Sequence, residues 1–348
     1  MSEPITKAKD LAYVRMQAPD LEVGEKFITD FGLSISARTP DTLYARGTEA
    51  PHHVYILHKG ELGFRALGLH VHSMEDLEKL HREGGATPIE KLDEPGGGHV
   101  VRLQDPHGFT VEAIYGMEPL EPIDADLTLP LNVDGQRNRL GVLADVKRGP
   151  STVKRIGHAV LETQRIEEAY QWYWKHFGIL RTDKVVQPSG EPGFQFARLD
   201  KGLEYTDHHT LGFQMSLDGG ERLQHVSFEV QNIDDVMVGH DHLGENKAYK
   251  HVWGVGRHRL GGQIYDYWKD PWGRIHEHWA DSDLLNTEYE ATTQPLEGAR
   301  DYWGLNQQPT LTYFIQNWNL TAISNLAGMV AGEVKGKLSG LFGSSGER

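Results

Sequence analysis

The chain repeats itself, and that repeat limits its fold more than any other feature of its 348 residues. Residues 12–32 (AYVRMQAPDLEVGEKFITDFG) and 158–178 (HAVLETQRIEEAYQWYWKHFG) both read as a strand running into a helix that stops at Phe-Gly. Glycine there supplies the left-handed C-terminal cap. Residues 69–80 (LHVHSMEDLEKL) answer residues 228–237 (FEVQNIDDVM), each a strand leading into a helix capped by Ser73 or Asn232. Residues 103–113 (LQDPHGFTVEA) then answer 268–278 (WKDPWGRIHEH), a strand, an Asp-Pro-x-Gly turn and a returning strand. The matches fall in the same order in both halves. They predict an α+β chain of two tandem modules, each built of two β-α-β-β-β units and holding eight strands.

The division that follows is an N-terminal module over 1–116, a proline-marked connector over 117–150, a C-terminal module over 151–283 and an extension over 284–348. Within the extension Ile323, Leu326, Val330, Val334, Leu338 and Leu341 recur at three- and four-residue steps, which predicts an amphipathic helix. Its expected use is oligomerisation or cover for the mouth of a site. Trp172 and Trp174 are expected as core or interface aromatics.

A net charge of −15 argues against a phosphate-binding surface and therefore against nucleic acid as a partner. No apolar run is long enough to span a bilayer and the first residues carry no leader pattern, so a cytoplasmic location without membrane contact is expected. There is no cysteine, which removes disulfides, thiolate metal sites and cysteine nucleophiles together. Any metal must then be held by carboxylates and by some of the 19 histidines.

The halves differ where metal chemistry would need them to. Aligned, Ala12 stands against His158, Ala66 against His225 and Glu112 against Glu277. A period of two places Ile275, Glu277 and Trp279 on one strand face and His276 and His278 on the other, where a structural or solvent-facing role is expected. A carboxylate between apolar neighbours is costly unless paired or bound to a metal. Glu112 has no histidine partners in its half and is expected in a salt bridge. Two imidazoles and one carboxylate on adjacent strands leave coordination positions open, as in non-haem Fe(II) oxygenases.

These residues resemble the type I extradiol catechol dioxygenases of the vicinal oxygen chelate superfamily, over roughly residues 12–283. The resemblance implies His158, His225 and Glu277 as metal ligands and His209, in DHHTLGF, as the acid/base histidine of the distal pocket. It also implies His258, in GRH, as a substrate-pocket residue and Tyr267 as the tyrosine that orients a catechol hydroxyl. Further implied are Fe(II) rather than Mn(II), no organic cofactor, a catechol-type diol and O2 as substrates, a role in aromatic degradation, and a homo-oligomer, dimer or tetramer. Two departures stand out: Asp266 replaces an apolar residue, and Gly261 replaces an Asp. Carboxylated catechols are mildly disfavoured by the acidic chain unless Arg198, Lys250 or Arg257 reverses that locally. The alternatives are a glyoxalase-type isomerase or lyase, which would draw ligands from both modules, and a non-catalytic small-molecule binder, which would not need the triad.

Overall fold

The computed structural model describes residues 3–125, 130–299 and 301–305. In the first half the chain forms β1 (Ala8–Ala18), α1 (Leu21–Asp30), β2 (Ser34–Arg38), β3 (Thr42–Arg46) and β4 (Tyr55–Lys59). It continues with β5 (Gly63–Val71), α2 (Met74–Glu83), β6 (Glu90–Lys91), β7 (His99–Gln104) and β8 (Thr110–Tyr115). These strands make one eight-stranded sheet in the order β2-β3-β4-β1-β5-β8-β7-β6.

The second half repeats the pattern as β9 (Arg155–Thr163), α3 (Ile166–Phe177), β10 (Leu180–Val186), β11 (Pro192–Arg198), β12 (Thr206–Asp207) and β13 (Leu211–Met215). Its last unit is β14 (Arg222–Glu229), α4 (Ile233–Glu245), β15 (Lys250–Arg257), β16 (Ile264–Lys269) and β17 (Ile275–Ala280).

Local chemistry explains the helix ends. Asp20, Ser73 and Asn232 each accept backbone N–H bonds that the first turn would otherwise leave open, and Ser73 with Asp76 completes a reciprocal capping box. Helix α3 ends on Gly178 at φ 64°, where a Cβ would be strained.

The second sheet has ten strands, not the expected eight, in the order β19-β10-β11-β13-β9-β14-β17-β16-β15-β20. The additional pair comes from beyond Asp283, a stretch whose polar composition carries no strand signal. There β18 (Leu284–Leu285) pairs with β12, β19 (Thr292–Pro295) runs parallel to β10, Leu296–Ala299 makes a 3-10 turn, and β20 (Trp303–Gly304) pairs with β15. The strap thus joins the two edges of a strongly curled sheet. The expected helix over Ile323–Leu341 lies outside the described residues.

His276 and His278 hold the two sheets together. Both are buried, so the solvent-facing option is excluded. His278 Nε2 donates to the Phe31 carbonyl at 2.7 Å, its ring stacks on Phe31 at 3.8 Å, and His276 Nε2 lies 3.1 Å from the Tyr55 hydroxyl. Burial pushes the His276 imidazole down to about 4, so it packs as a neutral ring. Trp172 and Trp174 lie partly buried against the core. No helix among the described residues is long and apolar enough to cross a membrane.

Candidate active site

Strand register brings three expected ligands to one place. Ser227 on β14 stands opposite His158 on β9 and opposite Glu277 on β17, and His225 sits two residues back along the same face. His158 Nε2 lies 3.0 Å and His225 Nε2 3.3 Å from Glu277 Oε2, and the two nitrogens are 3.3 Å apart. Three facial positions of an octahedron with bonds of about 2.2 Å are separated by about 3.1 Å, so one ion fits over this triangle.

The surroundings fit a cation as well. Glu277 is wholly buried, yet neither carboxylate oxygen receives a hydrogen bond, an arrangement that is costly without a positive partner. Burial pushes the His158 imidazole down to about 4, leaving a nitrogen lone pair available. His225 Nδ1 donates to the side-chain carbonyl of Gln224, which turns Nε2 inward. Beside His158, Gly157 is required: a Cβ there would meet the Trp279 indole at 2.4 Å.

His209 stands next to the triangle, its ring centroid 4.1 Å from that of His158. It is buried, and burial holds its imidazole well below its ordinary value. Two residues that sequence reasoning did not single out set its orientation. Asp183 on β10 accepts from His208 Nε2 at 2.7 Å, and His208 Nδ1 lies 3.1 Å from His209 Nδ1. With His208 Nε2–H donating to Asp183, His208 Nδ1 accepts from His209 Nδ1–H and the Nε2 lone pair of His209 is left for the site. Phe196 packs against His209 at 4.7 Å and shields this arrangement.

On the other side of the triangle, Tyr267 pairs with Glu277 in the β16–β17 register, and its ring lies 5.2 Å from that of His225. Its hydroxyl is 3.1 Å from His258 Nε2, which is 3.9 Å from Glu277 Oε1. His258 Nδ1 is 2.9 Å from Asp301 Oδ1, and Tyr265 donates to the same carboxylate. Asp301 lies outside the repeat, so no alignment of the halves could have drawn attention to it. Asp301→Asn is expected to leave metal content unchanged and to lower turnover by about tenfold, as a second partner of an oriented imidazole does. Metal analysis and kcat measured together check this, and loss of the metal would contradict it.

The corresponding place in the first module holds arginine instead of a ligand set. Gly68 there faces both Tyr13 and Glu112, as Ser227 faces His158 and Glu277. Tyr13, not Ala12, is therefore the structural counterpart of His158. Tyr13 precedes the helix start Leu21 by the same spacing as His158 precedes Ile166, and the one-residue offset enters only at the helix ends, where the Phe-Gly pairs were matched. Glu112 accepts from the Tyr13 hydroxyl at 2.7 Å and from Arg102 Nε at 2.9 Å, and pairs with Arg15 at 3.1 Å.

A family model described as the Glyoxalase/Bleomycin resistance protein/Dioxygenase superfamily matches residues 155–275. Metapyrocatechase 2 of Cupriavidus necator is 26% identical over 323 residues, covering 91% of this chain and 94% of its own length. A manganese-dependent 2,3-dihydroxybiphenyl 1,2-dioxygenase of Geobacillus genomosp. 3 is 24% identical, covering 74% and 80%. The chain is thus similar, through residues 155–275, to the glyoxalase/bleomycin resistance protein/dioxygenase superfamily.

Solved structures share that superfamily's fold. Homoprotocatechuate 2,3-dioxygenase of Brevibacterium fuscum aligns at TM-score 0.70 and 21% identity, covering 87% of this chain and 92% of its own. A Mn(II)-bound glyoxalase of Novosphingobium aromaticivorans aligns at TM-score 0.70 and 20% identity, covering 86% and 92%. The superfamily match takes in His158, His209, His225, His258 and Tyr267 and stops two residues short of Glu277.

A second histidine–carboxylate group lies on the opposite face of the β15–β16 hairpin. Asp266 is wholly buried and accepts from His251 Nε2 at 2.8 Å, His240 Nδ1 at 3.0 Å and Trp268 Nε1 at 2.5 Å. This explains how an acid occupies a position where an apolar residue is usual in the resembled family. The bond to Asp266 raises the His240 value above 6.5. Burial alone would raise Asp266, but its bonds from His240 and His251 more than offset that and hold it below 3.8. The His240 contribution to stability is complete below pH 6.5 and fades as pH rises through the raised folded value. The Asp266 contribution is present above 3.8 and is lost as pH falls through the depressed folded value. Asp266→Asn should therefore cost stability most between those limits, by about 3 kcal/mol. Urea unfolding at pH 5 to 6 against pH 9 checks this: the gap from the unsubstituted protein should narrow at the higher pH.

Proposed function

We propose that the protein opens a catechol-type aromatic diol beside its hydroxyl pair, using O2 and one non-haem Fe(II) held by His158, His225 and Glu277. The observation that carries this reading is the facial triangle of three ligand atoms with His209 on one side and the Tyr267–His258 pair on the other, all opening on one cavity. The names of the similar proteins support it, since metapyrocatechase 2, the dihydroxybiphenyl dioxygenase and a 3-methylcatechol 2,3-dioxygenase of Pseudomonas putida all describe enzymes for such diols. An isomerase using ligands from both modules is disfavoured, because Glu112 is already tied by Arg15 and Arg102.

The bound ion would supply Lewis-acid activation of the two hydroxyls and electron relay to O2. The chain supplies proton handling on either side of it. Tyr267 orients a diol hydroxyl and receives its proton as its own phenolic proton passes to His258 Nε2, while Asp301 keeps the His258 ring fixed. His209, neutral and aimed by His208 and Asp183, takes and returns a proton on the opposite side and hydrogen-bonds developing negative charge there. Phe196 and Trp253 line the cavity beside these groups and limit water. Both oxygen atoms of O2 enter the product, so no external reductant is consumed. Oxygen uptake by anaerobically iron-loaded protein, with a yellow ring-opened product in one-to-one ratio, tests the reading. No uptake with any catechol, in protein shown to hold its metal, would overturn it. Loading with Mn(II) in parallel compares the two ions directly.

A further inference from the structure

The cavity identifies the class of diol. Resting on the ring-cleavage reading, we propose that the substrate is a catechol carrying a bulky, uncharged hydrocarbon substituent, alkyl or aryl, that seats against Val185, Phe194, Met215 and Leu296.

The cavity measures about 340 Å3, at the lower end of sites that enclose drug-sized ligands, and one ring with two hydroxyls leaves much of it empty. It extends from the triad along the strands. His158 and Val160 alternate onto its floor, and Gln214, which pairs with Glu162, lines it further on. That point is four residues past His158, about 13 Å along the strand. One aromatic wall follows the same direction. Phe196 lies against His209, and Phe194 lies against Phe196 with ring centroids 4.4 Å apart. Gly212 makes room for this wall, since a Cβ there would stand 2.8 Å from Val160 Cγ2 and 3.2 Å from the Phe194 ring. The ionisable groups thus gather around the triad and Asp301, and away from them Val185, Phe194, Met215 and Leu296 supply a hydrocarbon lining interrupted by the uncharged amides of Gln187 and Gln214.

Charge selects in the same sense. Among the described residues lining the cavity there is no lysine or arginine, and Asp301 adds a carboxylate. Cations close to the lining in sequence do not enter it: Arg259, between His258 and Leu260, is exposed, and Arg222 pairs with Asp218 and Glu162. Arg198 donates to the carbonyls of Arg181, Asn286 and Tyr289, Arg257 to the Gly262 carbonyl and Asp281, and Lys250 is exposed. A carboxylated substituent would be buried without a counter-charge.

The test is an anaerobic calorimetric titration of Mn(II)-loaded, full-length protein with catechol, its 3- and 4-methyl, propyl and phenyl derivatives, and the matching carboxylates, followed by turnover with O2. Affinity is expected to rise about fourfold per added methylene until the cavity is filled. Carboxylates should bind at least 100-fold more weakly than alkyl diols of similar size, roughly as an unpaired buried charge requires. Leu296→Arg, at a half-exposed position on the strap, should recover at least tenfold of that deficit. Carboxylates binding as tightly as alkyl diols, no gain along the alkyl series, or no recovery in Leu296→Arg would each overturn the proposal. Discrimination in binding without ring opening by metal-loaded protein would sustain it while overturning the cleavage reading.

Discussion

His225→Ala is expected to abolish metal retention and to lower oxygen uptake on the order of 1,000-fold or more. Substitutions in partners of a metal ligand cost roughly 10- to 100-fold, and here the ligand itself is removed. The geometry gives the substitution no way to compensate. His225 supplies one corner of a triangle whose edges are 3.0 to 3.3 Å, and an alanine there offers no ligand atom. Elemental analysis after anaerobic iron loading, set beside the uptake rate, is the measurement. A His225→Ala protein that keeps one ion per chain would show that the ligand set is drawn from other residues.

His209→Ala should separate the two properties. Metal content is expected to stay at the unsubstituted level while turnover falls by about 100- to 10,000-fold, the range for a lost acid/base group. The side chain is buried and stacked between His158 and Phe196, so a cavity and some loss of stability accompany the change. His209→Asn, closer in volume and able to donate a hydrogen bond, should recover part of kcat if bond donation to developing charge matters as well as proton transfer. Loss of the metal in His209→Ala would instead make His209 a ligand.

Much of this site was legible because the chain contains its own comparison. The repeated Asp-Pro-x-Gly turn aligned Glu277 with Glu112, and the period of two separated Glu277 from His276 and His278. The exposed alternative for those two histidines failed because sequence periodicity assigns a face but not what covers it. Here Phe31, at the end of α1, and Tyr55 of the other sheet cover them. The Tyr13 register was missed by one residue because the halves were matched at Phe-Gly, and the two helices before it end at different points. Asp183, His208 and Asp301 were missed for a different reason. Asp183 and Asp301 each reach an imidazole from a distant segment, so these hydrogen bonds have no local signature, and His208 matters only as the link from Asp183 to His209. Asp266 read as a departure from the resembled pattern, and only the positions of His240, His251 and Trp268 show how it is accommodated.

The strap beyond Asp283 also bears on how the protein remains in solution during its synthesis. Strands β10 and β15 are the two borders of the catalytic sheet until β19 and β20 arrive, and a border of unpaired backbone groups is a template for joining another chain. Those closing strands are made more than 110 residues after the sheet's first strand has begun, so a ribosome-bound or truncated chain ending near residue 290 would carry His158, His225 and Glu277 and yet present both borders to its neighbours.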